Sequence, residues 1–417
     1  MASIPRLGAL DSSVALLADP YGFIGARCRE LGCDAFETRV LLRPTICMRG
    51  EAAARVFYDP ELFERAGAAP EPLRATLFGK GTVQSLDGAA HQRRKALFLE
   101  LTGPEAVGAL LARTEHEWRL AVPVDPGIGP LSLYDLARRV LCRAVCDWAG
   151  VPLPAGEAAL RTRQLSLLFD GAAGGPVRHL RSRVARIRAE AWLGGLVQEI
   201  REGRRELPAA SAAYAVAMHR DADGERLPPR VAAAELLNLL RPTVAVAVFI
   251  VFAAHALHTH TGWRTRLRAN DDARERDAFV QEVRRYYPFF PSVIARVRRD
   301  FEWNGLQFPR GRRVILDLFG TNHDPRCWES PRRFRPERFL EREPGRFDFI
   351  PQGGGEAEQG HRCPGEGIAG ALTGQAVALL LSRLEATVAP QDLTIDMKRL
   401  PALPHDRFMV KRLRWCV

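Results

Sequence analysis

The longest unbroken apolar pattern in the chain is AAAELLNLLRPTVAVAVFIVFAAHALH, residues 232–258. Apolar side chains fall on nearly every face of it, so as a helix it is buried all round rather than amphipathic. A second such run, IAGALTGQAVALLLSRL at 368–384, follows a glycine-dense loop and also reads as a buried helix. Between 108 and 230, helical spacing recurs in ALLARTEHEWRLAV, LSLYDLARRVLCRAVCDWAGV and VARIRAEAWLGGLVQEIREGR, with loops at PVDPGIGP, FDGAAGGP and HRDADGERLPPR. β-prone runs are short. FETRVLLRPTICM at 36–48 predicts a small hairpin, followed by a helix from Gly50 to near Tyr58; YYPFFPSVIARVRRDFEWNGLQFPRGRRVILDLFG predicts a turn and then strands, and 386–417 more short strands. The pattern predicts a mainly α protein with a small β region, and no linker, repeat or charge block divides residues 1–417 into more than one domain.

Composition narrows the class. A hydrophobic share of 47% with few aromatics, 8%, suits a packed helical protein. The N-terminus lacks a basic stretch followed by an apolar core, and the most apolar run, 243–257, is shorter than the ~20 residues that span a bilayer; the expectation is a protein with no membrane anchor. Eight cysteines without paired spacing, at 28, 33, 47, 142, 146, 327, 363 and 416, point to a reducing cytoplasm. Net charge is +11, but the arginines are dispersed without an aromatic-interleaved motif or a helix-turn-helix, which argues against nucleic acid as a partner.

Candidate chemistry concentrates at 346–367, RFDFIPQGGGEAEQGHRCPGEG. One cysteine, Cys363, stands just before a helix N-terminus, where unpaired N–H groups favour a thiolate that can ligate a soft metal. A buried apolar cysteine and a catalytic nucleophile are the other readings of a lone cysteine. The surrounding glycines suggest a backbone pressed against something large and planar. At 73–107, a loop bearing Leu77, Phe78, Val83 and Gln84 leads into a helix on which His91 and Lys95 share a face. Those two cations suit the carboxylates of a haem edge or, taken alone, a solvated face. In the 232–258 run, Arg241 precedes Pro242, which removes one helical hydrogen bond and biases Arg241 away from ideal helical angles. A buried arginine requires an anion, either an acidic side chain of the protein or the carboxylate of a substrate.

Taken together these segments resemble the cytochrome P-450 superfamily. Phe349, Gly355 or Gly360, His361, Cys363 and Gly365 stand in for its F-x-x-G-x-(H/R)-x-C-x-G loop, and Glu282 with Arg285 forms E-x-x-R, completed by Arg338 of PERF. Phe349 lies fourteen residues before Cys363 (363 minus 349), so the loop carries an insertion at GGEAEQG or nearby. That lengthened loop, and Arg241-Pro242 where monooxygenases carry an acid-threonine pair, resemble the fatty-acid peroxygenase branch. The resemblance implies the helical prism fold and haem b with Cys363 as axial ligand. It implies His91, Lys95, His361, Tyr286 and Arg285 at the cofactor, and Glu282, Arg285 and Arg338 as supports of its loop. Arg241, Leu77, Phe78, Gln84, Phe169, Phe289 and Phe290 are implied at the substrate, with Gln84 over the haem face where decarboxylating relatives carry histidine. The implied reaction is hydroxylation of a long-chain fatty acid at Cα or Cβ by hydrogen peroxide, with Arg241, Pro242 and Gln84 as catalytic residues, the substrate carboxylate as proton shuttle, and no obligatory redox partner. A reductase-dependent monooxygenase and a peroxide-driven decarboxylase are the alternatives.

Overall fold

A computed structural model describes residues 4–123, 129–170, 175–270 and 272–416. The hairpin forms as expected. Ala35–Val40 pairs antiparallel with Arg43–Met48 through Leu41 and Leu42, both at positive φ. Its second strand runs parallel to Arg313–Asp317, which pairs antiparallel with Ser292–Val297, giving a five-stranded sheet closed by Phe63–Glu64. The tail contributes Leu384–Val388 and Met409–Trp415, paired antiparallel, as its short alternating runs predict.

The helices form the larger body. Leu133–Ala149 ends at Gly150, whose left-handed φ of 74° stops the helix without a Cβ penalty. Pro176–Arg201 starts earlier than its sequence pattern, because Pro176 supplies a pre-set φ at the first turn. Ala158–Asp170 is a further helix of the 108–230 region, running into the first residues of FDGAAGGP; residues 171–174 that follow it, and residues 124–128 of PVDPGIGP, lie outside the described residues.

The apolar run at 232–258 forms two consecutive helices, Pro229–Ala245 and Ala247–Thr259. The interruption falls at Val246, whose N–H bonds Thr243 O at 3.2 Å in a tight turn, and Arg241 itself stays helical. Pro242 is thus accommodated inside the first helix, four residues before the interruption, without taking Arg241 out of helical geometry. Read as one stretch, Pro229–Thr259 is long and apolar enough to cross a membrane, yet 94% of its most apolar window is buried inside the fold. That burial answers the sequence pattern: helices from both sides cover every face.

Candidate active site

Cys363 precedes the helix Glu366–Ser382. Its N–H bonds Gln352 O at 3.3 Å, and the Gln352 amide Nε2 lies 4.0 Å from the sulfur. Glu366 in the first helical turn is held by Arg284 and by Arg362 Nε at 2.6 Å. Burial pushes the Cys363 thiol pKa up, with Glu366 adding to it, and outweighs the helix end, Lys95 and Arg284. The bare thiolate expected from the helix terminus is therefore not favoured; a bound cation has to supply that stabilisation. The glycines also differ in purpose from the planar-ligand reading. A Cβ at Gly354 would meet Ile350 Cγ2 at 2.6 Å and Arg346 O at 2.8 Å, while one at Gly353 or Gly355 would meet Tyr58. They let the lengthened loop fold on itself and on Tyr58. Gly365 is the exception, since its added Cβ would meet only Cys363 Sγ, at 3.9 Å.

His91 and Lys95 are both buried on the helix Gly88–Leu101. Lys95 Nζ donates to Gly360 O at 3.1 Å and to Arg362 O, so a buried cation is met by carbonyls. Burial pulls its pKa down to about 8, leaving it charged at neutral pH. His91 corrects the expectation of a second cation: burial and the Lys95 charge hold its pKa near about 4. It is a neutral imidazole with its ring centroid 4.0 Å from that of His361. His361 Nε2 in turn lies 3.5 Å from Asp87, which also accepts from the N–H groups of Arg65 and Ala66.

Arg241 is buried at 6% exposure. Its Nη1 donates to Leu77 O at 2.5 Å and its Nη2 to Asn238 Oδ1 at 3.3 Å, while Nε has no partner among the described residues. No carboxylate pairs with it there. Burial pushes its pKa down to about 9, Arg186 adds repulsion and Cys363 opposes both. The guanidinium remains charged at neutral pH, and neutral acceptors do not repay its lost hydration. Asn238 Nδ2 also donates to Gln84 Oε1 at 3.2 Å, which brings Gln84 into the same cluster.

The second set of arginines is arranged differently. Arg285, fully buried, grips Glu282 through Nε at 2.7 Å and Nη2 at 2.8 Å, and spends Nη1 on the carbonyls of Asn322 and Pro331. Arg338 Nε lies 3.2 Å from the same carboxylate. Arg285 therefore has no donor left for a cofactor, and Arg284 is the residue that reaches the cysteine loop. Tyr286 also departs from its expected place: it packs on His323 and Phe334 and lines a cavity with Phe319 and Arg333, away from Cys363. Leu77, Phe169 and Phe289 are buried in the main core, with Phe78 and Phe290 against it. The Phe289 ring lies 4.4 Å from Phe249 and 4.5 Å from Phe290. Tyr21 Oη donates to Phe289 O at 2.6 Å and accepts from Ala402 N–H at 3.0 Å, tying the segment 401–404, PALP, to Phe289.

Known proteins share this fold. The family profile described as Cytochrome P450 matches residues 276–412. Curated relatives include Cytochrome P450 1A2 of Cavia porcellus, 36% identical over 150 residues, 33% of this chain and 28% of that protein. Dimethylnonatriene synthase of Arabidopsis thaliana is 31% identical over 131 residues, 30% of this chain and 24% of its own. The matched stretch thus spans less than a third of either relative's length. Solved structures match over the whole chain. Cytochrome P450SP alpha (CYP152B1) in complex with (R)-ibuprofen is 49% identical, covers 97% of this chain and 99% of its own, and superposes with a TM-score of 0.95. The chain belongs to the cytochrome P450 family. Cytochrome P450EX alpha (CYP152N1) with myristic acid is 41% identical over the full length of both chains, TM-score 0.96. An OleT variant in complex with arachidonic acid is 30% identical, covers 100% of this chain and 99% of its own, TM-score 0.94.

A P450 holds its haem through one cysteine thiolate. The residues here fit that group. Cys363 is alone in its loop, Gln352 offers a donor to the sulfur, Gly365 places no Cβ beside the sulfur, and Lys95 is a buried cation met by carbonyls among the described residues, as a propionate partner requires. Five residues of this P450 site were passed over in the sequence: Glu235, Asn238 as a hydrogen-bonding group, Arg186, Arg284 and Gln352. Glu235 carried a readable signal, being the only acid in the 232–258 run. The other four are defined by contacts between distant segments.

Proposed function

We propose that the protein uses hydrogen peroxide to hydroxylate long-chain fatty acids at Cα or Cβ, with haem b bound through Cys363. The observation that carries this reading is Arg241, a buried guanidinium without a carboxylate partner among the described residues. Its planar fork matches an incoming carboxylate in paired hydrogen bonds. Relatives whose structures hold myristic or arachidonic acid support a carboxylic acid as the ligand.

Bound haem supplies the peroxide activation and oxygen transfer. The chain's own residues set geometry and proton traffic. Arg241 holds the substrate carboxylate, which would take the proton from one oxygen of hydrogen peroxide and give it to the other; that second oxygen would leave as water, and the haem held by Cys363 would supply the site that keeps the first. The substrate thus replaces the acid-threonine pair, and no electron-donor protein is required. Anchoring C1 brings Cα and Cβ closest to the oxidant, so regiochemistry follows from position. Leu77, Phe78, Phe169, Phe289 and Phe290 give the acyl chain an apolar wall. Free thiols at all eight cysteines agree with a cytoplasmic location.

The test is to incubate purified holoprotein with a saturated long-chain fatty acid and hydrogen peroxide, without a reductase, and identify products by mass spectrometry. Expected products are 2- or 3-hydroxy acids. Product formed only with an electron donor indicates the reductase-dependent monooxygenase, a terminal alkene indicates decarboxylation, and either overturns the proposal.

A further inference from the structure

Glu235, six residues before Arg241 on the same helix, is fully buried yet lies outside every role given so far. Its Oε1 accepts from Val83 N–H at 2.7 Å and from Arg94 Nη1 at 2.9 Å; its Oε2 accepts from Asn238 Nδ2 at 3.0 Å. Burial pushes its pKa up, while these three donors, one of them a cation, favour the ionised form. Arg94 also pairs with Asp221, which fixes it from the other side.

With three donors converging on it, the Glu235 carboxylate accepts at both oxygens, and that one-sidedness propagates. Facing Glu235, Asn238 must present its NH2 group. Its carbonyl Oδ1 is thereby left for Arg241 Nη2, and its second amide hydrogen for Gln84 Oε1. Gln84 in turn has its carbonyl committed to Asn238, so its NH2 is turned away from Asn238. A neutral amide also stands between the acid and the guanidinium: Asn238 donates to Glu235 through Nδ2 and accepts from Arg241 through Oδ1.

We propose that Glu235 is a positioning residue for the carboxylate anchor: through Asn238 it sets the hydrogen-bond direction so that Arg241 is held by a neutral carbonyl and Gln84 offers N–H donors to the bound acid. This rests on the reading of Arg241 as the anchor. Glu235→Gln tests the direction itself. Its carbonyl must still serve Val83 and Arg94, so its new NH2 faces Asn238, which flips and turns its own NH2 toward Arg241.

The experiment is a double-mutant cycle on holoprotein, with myristate affinity read by calorimetry and thermal unfolding recorded for each variant. Glu235→Gln is expected to weaken myristate binding about 10- to 100-fold, the range of one hydrogen bond to a charged group. Asn238→Ala, which leaves the Glu235–Arg94 pair intact, weakens it similarly, and Glu235→Gln adds less than about twofold in the Asn238→Ala background. Glu235→Asp, still an acceptor, retains more affinity than Glu235→Gln. Equal losses from Glu235→Gln with and without Asn238, or wild-type affinity in both single variants, overturn the relay. Arg241→Ala separates the two readings: if it abolishes myristate binding while Glu235→Gln binds normally, the anchor stands and the relay falls. If Arg241→Ala binds normally, the anchor has failed.

Discussion

Two buried arginines of this protein teach opposite lessons. Arg285 is enclosed, but its neighbours supply a bidentate carboxylate and main-chain carbonyls for its remaining donors. Arg241 is enclosed too, but receives one backbone carbonyl, one side-chain amide oxygen and nothing at Nε among the described residues. The first pattern is a finished structure, in which removing either partner strands the other. The second is an unfinished one, where the missing anion has to arrive from solution. Burial of a charge does not distinguish structure from function; whether the protein itself completes the pairing does.

Breaking the finished pair has the largest expected effect. Glu282→Leu leaves Arg285 and Arg338 facing each other without an anion, and should cost about 3–5 kcal/mol of stability with loss of haem retention. Denaturant unfolding and the haem-to-protein ratio measure this. Arg241→Leu should do the reverse. Unfolding free energy stays within about 1 kcal/mol of wild type or rises, because an apolar side chain removes an uncompensated charge, whereas kcat/KM for a fatty acid drops about 100-fold or more. Equal stability losses from the two substitutions would erase the distinction.

A smaller effect sharpens the comparison from the Lys95 side. Lys95 shares the incomplete character of Arg241, and Lys95→Met should weaken haem retention about tenfold without destabilising the haem-free fold. Competition for haem by apomyoglobin reads this out.

Acid gives the mildest and broadest test. Burial holds His91 and His255 at about 4 and His323 and His361 at about 3, below the ordinary histidine value. Each is neutral in the fold and gains a proton on unfolding, so stability is complete above about pH 6.5 and falls as pH drops toward 3–4, by up to ~1.4 kcal/mol per pH unit per group. Asp317, raised to about 7 by burial, and Glu235, also raised by burial, act in the opposite direction, whereas His219 and His260, lowered by burial, act with the four. Thermal unfolding at pH 5 should lie below that at pH 7 and take up protons. A Tm that does not change over this range would contradict the pKa assignments.

How much of this was legible in the chain follows from the range of the interactions. The hairpin at Ala35–Met48, the helix after Cys363 and the buried helix at 232–258 are local patterns of period and turn chemistry, and they appear where the sequence puts them. Arg241 was legible because an arginine next to proline in an oily run contradicts its surroundings. The neutrality of His91, the exchange of Arg285 for Arg284 at the cysteine loop, and the placing of Tyr286 against His323 were not. Each depends on which of two adjacent side chains points inward, or on how much water a loop from elsewhere excludes. Glu235 lay between: its isolation among apolar residues was visible, but its partners Arg94 and Val83 come from a segment about 150 positions away, as the 152-residue separation from Val83 shows.

The most direct test of the account compares two ligands of one chain length on wild-type and Arg241→Leu holoprotein by calorimetry, a saturated fatty acid and the corresponding fatty alcohol. The prediction is that wild type binds the acid at least about 100-fold more tightly than the alcohol, and that the preference collapses in Arg241→Leu with alcohol affinity unchanged. Equal affinities for acid and alcohol in wild type, or an acid preference that survives the substitution, would contradict it.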